Sequence, residues 1–209
     1  MKKQGYNHQF DRNDVKINNV SSLYKGFFKV NLYDFDHATF DGKQIISVKR
    51  EVFERGHAVA VLPYDPILNK VVLIEQLRIG ALATKQSPWL LEIIAGMIAP
   101  GEEIEEVAHR EAMEEAGLKL KKLIPMLDYL SSPGGTDERI YLYLAIVDST
   151  GIEGVYGLEH EQEDIRVEVF DYQHALDLLQ SGEIDNAATV ICMQWLALNK
   201  TKLDKELND

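Results

Sequence analysis

The sequence predicts a mixed α/β fold of the α+β kind, a sandwich in which helices pack on a largely antiparallel sheet. β-Rich stretches and turn signals recur along the chain, whereas helical periodicity is confined to one central and two C-terminal segments. These elements do not follow the regular strand–helix–strand alternation that predicts a doubly wound sheet. With 209 residues, 45% of them hydrophobic and 27% charged, the chain can bury one core and carry a small appended unit.

The N-terminal quarter predicts a small antiparallel β unit. Residues 15–53 contain β-rich stretches such as 27–33, and a turn at Asp41-Gly42 separates two of them. A sheet of this size is marginally stable alone, so it must pack on another surface. We therefore expect two domains, an N-terminal β unit over 1–55 and a larger domain over 56–209.

The larger domain is predicted to contain six strands and three helices. The predicted strands cover 58–63, 70–76, 89–95, 123–130, 139–147 and 165–170. The predicted helices cover 102–116, 172–181 and 186–199. We expect the strand that begins at residue 89 to end at Gly96, and 148–164 to form a glycine-containing loop.

Charge and composition narrow the classes of partner and compartment. A net charge of −12 without a cluster of Lys and Arg argues against nucleic acid as a partner. No stretch approaches the roughly 18 to 20 apolar residues that span a bilayer, and the polar N-terminus has no apolar targeting segment. The single cysteine, Cys192, lies in an apolar run and is expected on a buried helix face. We expect a cytoplasmic protein that binds neither nucleic acid nor membranes.

The central helix is rich in acidic residues. Glutamate occupies seven of the fourteen positions from Glu102 to Glu115. On a helix, Glu111 lies three residues from Glu114 and four from Glu115, so these carboxylates crowd one side and repel each other. Such a face is often only solvated. A hard divalent cation, Mg²⁺ above all, would offset the repulsion.

The spacing around these acids is more specific than the acids themselves. Gly96 is followed after five residues by Glu102 and, after seven more, by the run REAMEEAGL at 110–118. This spacing resembles the Nudix box at every defined position. The resemblance implies the Nudix hydrolase fold, an α/β/α sandwich, and Mg²⁺-dependent hydrolysis of a diphosphate linked to another group.

The same resemblance implies roles for residues in and beside the box. Glu111 and Glu115 would be the principal ligands of two or three Mg²⁺ ions, for which Mn²⁺ can substitute. The main-chain carbonyl of Ala95 would be a further ligand, and Glu114 a contributor. Supporting roles, in turns and in orienting the carboxylates, fall to Gly96, Glu102 and Arg110.

An acidic loop at 158–164 supplies candidates for a general base. It follows a glycine-rich stretch and could close over a substrate. By the resemblance, Glu161 would be the base and Glu163 an additional metal ligand. Glu159 and His160 remain alternatives for the base.

The position of Pro133 bears on the substrate, because it lies fifteen residues beyond Leu118, the end of the box. This placement resembles the branch of the family that hydrolyses ADP-ribose and ADP-sugars, and the similarity extends over nearly the whole chain. It implies cleavage of ADP-ribose to AMP and ribose 5-phosphate. The residues implied to bind this substrate are Phe28, Arg50, Glu51, Arg55, Arg78, Met97 and Pro133.

Within that set, Phe28 would stack on the adenine, with Arg50 and Glu51 nearby, and Arg55 and Arg78 would hold phosphate or the terminal ribose. The resemblance also implies a homodimer. The N-terminal sheets over 1–55 would be exchanged between subunits, so that adenine contacts come from both chains.

Three alternatives can be weighed against this interpretation. A different nucleotide sugar, such as GDP-mannose, is disfavoured by Pro133. A non-catalytic ligand sensor usually lacks glutamates of the box, all of which are present here. The glycines at 151, 154 and 157 do not form a dinucleotide-binding motif, because the G-x-G start and a following helix are absent.

Overall fold

A computed structural model describes residues 6–208, which form two compact units. The N-terminal unit contains the chain up to Arg55 together with the loop Ser132–Glu138. The core unit contains Gly56–Ser131 and the chain from Arg139 onward. No local pattern in the sequence indicates that the 132–138 loop joins the N-terminal unit. The predicted domain boundary between residues 55 and 56 stays a prediction. Residues 1–5 of the first predicted domain and residue 209 of the second lie outside the described residues.

The N-terminal unit is a three-stranded antiparallel sheet. Its strands are β1 (Val15–Lys25), β2 (Lys29–Ala38) and β3 (Gln44–Glu54), in the order β1-β2-β3, as the strand-rich pattern and the turn signal predict. Gly42 occupies the turn between β2 and β3 with a φ of +79°, a conformation that glycine adopts at little cost. All eleven residues of β1 are exposed, so this sheet buries little apolar surface within its own unit.

The core unit is built on an eight-stranded mixed sheet with the order β10-β11-β5-β4-β9-β8, in which β6 pairs with β5 and β7 pairs with β4. Its strands are β4 (His57–Asp65), β5 (Lys70–Leu77), β6 (Trp89–Glu92), β7 (Ile94–Ile98), β8 (Lys122–Leu130), β9 (Arg139–Ile146), β10 (Gly154–Tyr156) and β11 (Ile165–Asp171). The pairing of β4 with β9 is parallel, and the others are antiparallel.

Helices cover both faces of this sheet, which makes the core unit an α/β/α sandwich as expected. They are α1 (Ile104–Ala116), α2 (Tyr172–Ser181) and α3 (Ala187–Asn208). Successive side chains of β4 point to opposite faces. Val59 and Val61 pack with residues of α1, whereas Ala60 and Leu62 pack with residues of α2 and α3. The buried strand residues thus separate two apolar layers.

The expected helix face around Cys192 is confirmed, because that side chain is buried in the layer beneath α3. Met193 and Leu196 are equally buried, and each stabilises the fold by about 1.5–3 kcal/mol relative to an exposed position. Within residues 6–208, no helix has both the length and the apolar character needed to cross a bilayer.

Four predicted boundaries are wrong. The helix expected from residue 102 begins at Ile104, because Gly101 has a φ of +90° and Glu102 N–H donates to the Ala99 carbonyl in a turn. The strand expected to end at Gly96 is two strands, with Gly96 inside β7. The expected loop at 148–164 contains β10 and a short 3₁₀ turn. The last helix continues to residue 208 because Leu203 is also buried against the core.

Candidate active site

Helix α1 carries the box carboxylates to the edge of β7. Its apolar side chains, including Val107 and Ala112, are buried against the sheet and fix the rotation of the helix. Gly117 ends α1 in the left-handed region, with a φ of 61°, and its N–H donates to two carbonyls of the last turn. This orientation leaves Glu115 only 3% exposed, and the side chain of Glu111 is 14% exposed.

The main chain of β7 lies directly against these two carboxylates. The backbone N–H of Ala95 donates to Oε2 of Glu115 at 3.1 Å. A Cβ at Gly96 would come within 1.9 Å of Oε1 of Glu111, so the glycine is required for close approach. Gly96 is not among the residues with positive φ, and its role is therefore space for Glu111 rather than the turn that we expected.

Burial makes these carboxylates costly to ionise in the absence of a cation. Burial raises the pKa of Glu115 to about 8, against the hydrogen bond from Ala95. Burial also raises the pKa of Glu111, and the nearby Arg110 opposes that shift. A bound cation would favour the charged form of both groups.

The donor set fits magnesium. Mg²⁺ is commonly held by one or two carboxylates, with water and substrate phosphate completing its shell. Glu111 and Glu115 supply two largely buried carboxylates beside the β7 main chain, where the carbonyl of Ala95 also belongs. Among residues 6–208, no three His, Cys, Asp or Glu side chains form a complete metal cluster by themselves.

Arg110 and Glu102 surround Glu111 as supporting groups. Nη1 of Arg110 lies 2.9 Å from Oε1 of Glu111 and 3.1 Å from Oε2 of Glu114. Nη2 of Arg110 lies 3.9 Å from Glu102, whose other oxygen accepts from the Ala99 N–H at 2.8 Å. Glu114 is thus paired with Arg110 in this structure.

The acidic loop faces the same helix face. The charges of Glu161 and Glu163 both contribute to the raised pKa of Glu111, and Glu163 also acts on Glu115. Oε2 of Glu163 accepts from the Leu158 N–H at 3.2 Å, which anchors this side chain. The side chain of Glu161 is 55% exposed and lies on the 3₁₀ turn Glu159–Glu161.

Two glycines place the acidic loop. A Cβ at Gly117 would come within 2.8 Å of the Tyr156 ring, so β10 packs closely on the end of α1. Gly157 has a φ of +106°, and a Cβ there would come within 2.7 Å of Cβ of Glu163. Nε2 of His160 lies 3.6 Å from Oε1 of Glu161, and both side chains are exposed. Glu159 is exposed as well.

Two further residues of the core unit, Arg78 and Met97, were predicted from the sequence to bind substrate. Arg78 directly follows β5, and its positive charge lowers the pKa of Glu115 against the larger effect of burial. Nε of Arg78 donates to Oε2 of Glu92 at 2.8 Å. Met97 is 38% exposed in β7, beside Gly96. Sequence reasoning assigned no role to Glu92.

The other predicted substrate residues belong to the N-terminal unit. The guanidinium of Arg55 lies over the half-buried Phe28 ring, 5.4 Å from its centroid. Nε of Arg55 is 3.1 Å from Oε1 of Glu138, a buried carboxylate. Arg50 and Glu51 are exposed neighbours on β3, paired with Tyr33 and Leu32 of β2.

The loop that contains Pro133 is tied to the end of β3. Phe53 N–H donates to the Gly135 carbonyl at 2.8 Å, and the Thr136 hydroxyl donates to the Phe53 carbonyl at 2.7 Å. Pro133 itself is exposed. These hydrogen bonds join segments that are about eighty residues apart in the sequence. Pro133 was the only residue of this loop for which the sequence predicted a role.

Comparison with known proteins identifies the family of this chain. The model of the NUDIX domain matches residues 54–191. The chain is 51% identical to the ADP-ribose pyrophosphatase of Escherichia coli (strain K12), over 94% of each chain. It is 44% identical to the ADP-ribose pyrophosphatase of Haemophilus influenzae, over 94% of this chain and 92% of the relative. The chain belongs to the Nudix family.

Two further matches are more distant in sequence. The GDP-mannose pyrophosphatase of Yersinia pestis is 32% identical, over 88% of this chain and 93% of the relative. A solved structure described as an ADP compounds hydrolase superposes with a TM-score of 0.69 at 22% identity, covering 90% of this chain and 96% of its own. The latter likeness supports the fold.

Proposed function

We infer that this chain is a Mg²⁺-dependent hydrolase that cleaves the diphosphate of ADP-ribose, producing AMP and ribose 5-phosphate. The observation that carries this conclusion is the pair of buried carboxylates, Glu111 and Glu115, packed against the main chain of Ala95 and Gly96. The two relatives named ADP-ribose pyrophosphatase, at 51% and 44% identity over nearly the whole chain, support ADP-ribose as the substrate.

The proposed ligands of the cation come from three parts of the site and also position the substrate through the cation. Glu111 and Glu115 supply charged oxygens, the carbonyl of Ala95 supplies a neutral one, and Glu163 adds a carboxylate from the acidic loop. The chemistry that bound Mg²⁺ supplies is neutralisation of the diphosphate and a lowered pKa for the attacking water. Two or three ions are expected, and Mn²⁺ can substitute for Mg²⁺.

Glu161 is proposed as the general base. It accepts a proton from water while the water oxygen forms a bond to phosphorus and the bridging P–O bond breaks, releasing the other phosphate. Its exposed position on a short turn, with charge acting on Glu111, is consistent with that role. Glu161→Gln should lose most turnover but still bind substrate, whereas Glu159→Gln should behave as wild type. Near-normal turnover of Glu161→Gln would remove Glu161 from the role.

Residues of the N-terminal unit are proposed to recognise the nucleotide. Phe28 offers a ring for the adenine, and Arg55 already lies over that ring. Arg50, Glu51 and Pro133 would add contacts to the purine and ribose. Phe28→Ala should raise the KM for ADP-ribose more than it lowers kcat, because ring contacts bind substrate and transition state alike.

We also propose a homodimer formed through the N-terminal sheet. Apolar side chains along β1 remain exposed, among them Ile17 at 50% and Leu23 at 52%, and a surface of this kind marks an interface. Light scattering at micromolar concentration should give twice the chain mass. Ile17→Glu should weaken the dimer, whereas Ile67→Glu, at an 86% exposed position of the core unit, should not. A fully active wild-type monomer would contradict the proposal.

The identity of the substrate is tested by product analysis. ADP-ribose, ADP-glucose and GDP-mannose would each be incubated with and without Mg²⁺ in water enriched in heavy oxygen. We expect ADP-ribose to be cleaved best, only with metal, and the label to show which phosphorus is attacked. The GDP-mannose pyrophosphatase relative at 32% identity makes GDP-mannose the second candidate substrate. Faster cleavage of GDP-mannose than of ADP-ribose would favour that candidate. Equal cleavage by the doubly substituted Glu111→Gln, Glu115→Gln variant would overturn the metal site.

A further inference from the structure

A partly buried carboxylate lies behind Arg78 and has no part in the chemistry described so far. Glu92 belongs to β6, where it is paired across the sheet with Ile74 of β5. Its side chain is only 12% exposed, and Oε2 accepts a hydrogen bond from Nε of Arg78 at 2.8 Å. Arg78 is itself fixed at its main chain, since its N–H donates to the Pro88 carbonyl at 2.8 Å.

Arg78 favours the charged form of the Glu92 carboxylate against the larger effect of burial. Burial raises the pKa of Glu92, and Arg78 and the Gln76 amide oppose that shift. Gln76 is also buried, and its Nε2 has no hydrogen-bond partner of good geometry among the described residues. Glu92 is therefore a carboxylate whose main counter-charge is Arg78, held in place by the strand that carries it.

The other end of Arg78 is available for a ligand. Its side chain is 44% exposed, and within residues 6–208 its two Nη groups make no hydrogen bond. Glu92, which holds this guanidinium, is paired across the ladder with Ile74, and the Ile74 side chain packs in the same apolar layer as α1. Glu92 therefore lies on the face of the sheet that carries α1 and Glu115, and the charge of Arg78 acts on Glu115. Because Nε donates to Glu92, rotation of the guanidinium is restricted, and the outward-facing N–H groups on the two Nη atoms remain available to a ligand.

We propose that Glu92 is a positioning residue that orients the Arg78 guanidinium for the phosphate or terminal ribose of the substrate. This inference rests on the proposed function, because it requires that Arg78 contact the substrate. An arginine held at Nε presents its two Nη groups as a preorganised fork, and less freedom is lost when a phosphate binds. The role differs from that of a surface ion pair, which contributes little when both partners are solvated.

The test is a double-mutant cycle with a matched control. Glu92→Gln, Arg78→Ala and the double variant would be compared with wild type in kcat, in KM for ADP-ribose, and in Kd for its non-hydrolysable α,β-methylene analogue by calorimetry. Glu75→Gln is the control, since Glu75 also lies on a core-unit strand and pairs with an arginine, Arg166. Thermal unfolding of every variant identifies losses that are only structural.

Glu92→Gln should raise KM and Kd about 10-fold or more, by analogy with the loss of a hydrogen-bonding partner behind a metal ligand, while kcat falls less. In the Arg78→Ala background the same substitution should change Kd less than about twofold, because Glu92 acts through Arg78. Glu92→Asp, which keeps the charge, should recover part of the loss. The Glu75→Gln control should bind as wild type.

Three results with the variants would overturn the inference. Effects of Glu92→Gln and Arg78→Ala that multiply would show that Glu92 acts independently of Arg78. Tighter binding by Glu92→Gln would show that Glu92 competes with substrate for the arginine, and an unchanged Kd would show no role. Wild-type protein that binds the analogue but does not cleave ADP-ribose would overturn only the proposed function. Wild-type protein that does not bind the analogue would overturn both.

Discussion

Gly96→Ala tests whether the close approach of β7 to Glu111 serves the metal site. A Cβ at this position would lie 1.9 Å from Oε1, 2.1 Å from Cδ and 2.3 Å from Cγ of Glu111. Ordinary contact begins at 3.4 Å, so the carboxylate must retreat by about 1.5 Å. The backbone of Gly96 is ordinary β-strand, and the three atoms nearest to the added Cβ all belong to the Glu111 side chain. The fold should therefore survive while Glu111 is displaced.

The expected cost falls on catalysis. A displacement of about 1 Å of a catalytic or positioning group can reduce rate about a hundredfold, so kcat/KM should fall by about that factor or more. The loss corresponds to roughly 2.7 kcal/mol of transition-state stabilisation. Mn²⁺ affinity, measured by electron paramagnetic resonance of the free ion, should fall in parallel because Glu111 is a proposed ligand.

Gly80→Ala is the matched control for this substitution. A Cβ at Gly80 meets nothing within 4 Å, and its φ is not positive, so kcat/KM and Mn²⁺ affinity should match wild type. Thermal unfolding of both variants checks that the fold is retained. A Gly96→Ala enzyme with wild-type kcat/KM and Mn²⁺ affinity would refute the reasoning, because the carboxylate would then have moved without consequence.

Three further predictions concern burial and loop position. Metal-free protein should lose stability relative to a Glu115→Gln variant as the pH rises from 4.5 toward about 8, because the pKa of Glu115 is about 8 in the folded chain and 4.5 in the unfolded chain. Added Mg²⁺ should reduce this loss of stability. Parallel pH profiles of the two proteins in thermal unfolding would contradict the assignment. Asp65→Asn should lower the free energy of unfolding in urea by about 3 kcal/mol, because this buried carboxylate accepts four hydrogen bonds and an amide would leave donors unpaired. A change below about 1 kcal/mol would be inconsistent with the loss of these hydrogen bonds. Gly157→Ala should reduce kcat/KM more than Gly151→Ala, since both have positive φ but only Gly157 packs on Glu163; equal effects would assign the loss to backbone strain alone.

The pH behaviour of Asp65 runs in the opposite direction to that of Glu115. Burial alone would raise the pKa of Asp65, but its hydrogen bonds from Ser149, Leu68 and Ile67 together lower it. A lowered folded pKa contributes stability above the unfolded pKa, and that contribution is lost as the pH falls through the folded value. Acid should therefore remove the contribution of Asp65, whereas raising the pH from 4.5 toward about 8 removes that of Glu115 in the metal-free protein.

Much of the candidate site could be predicted because its signals are local. Helical periodicity and the i,i+4 spacing of Glu111 and Glu115 depend only on residues within a few turns. The boundaries were less predictable, since Gly101 and the Ala99 carbonyl form a turn that competes with the helix for Glu102. The role of Gly96 was misjudged for a related reason. A glycine that makes room for a distant side chain looks, in sequence, like a glycine in a turn.

The pairing of Arg78 with Glu92 could not be derived from spacing. The two residues lie fourteen positions apart, and they meet because β5 and β6 form an antiparallel ladder with a particular register. A shift of one residue would place Glu92 on the other face of the sheet. The attachment of the 132–138 loop to Phe53 has the same origin, in hydrogen bonds that close only after the chain has folded.

By itself, the sequence determined the family, the acidic helix and the identity of the box residues, because a spaced motif and a helical period are properties of neighbouring positions. Only the tertiary structure decided that Glu115 is buried with a pKa of about 8, that Gly96 leaves space for Glu111, and that Glu92 holds Arg78. Burial, contact and pairing depend on which distant segments exclude water from a side chain, and that exclusion exists only in the folded chain.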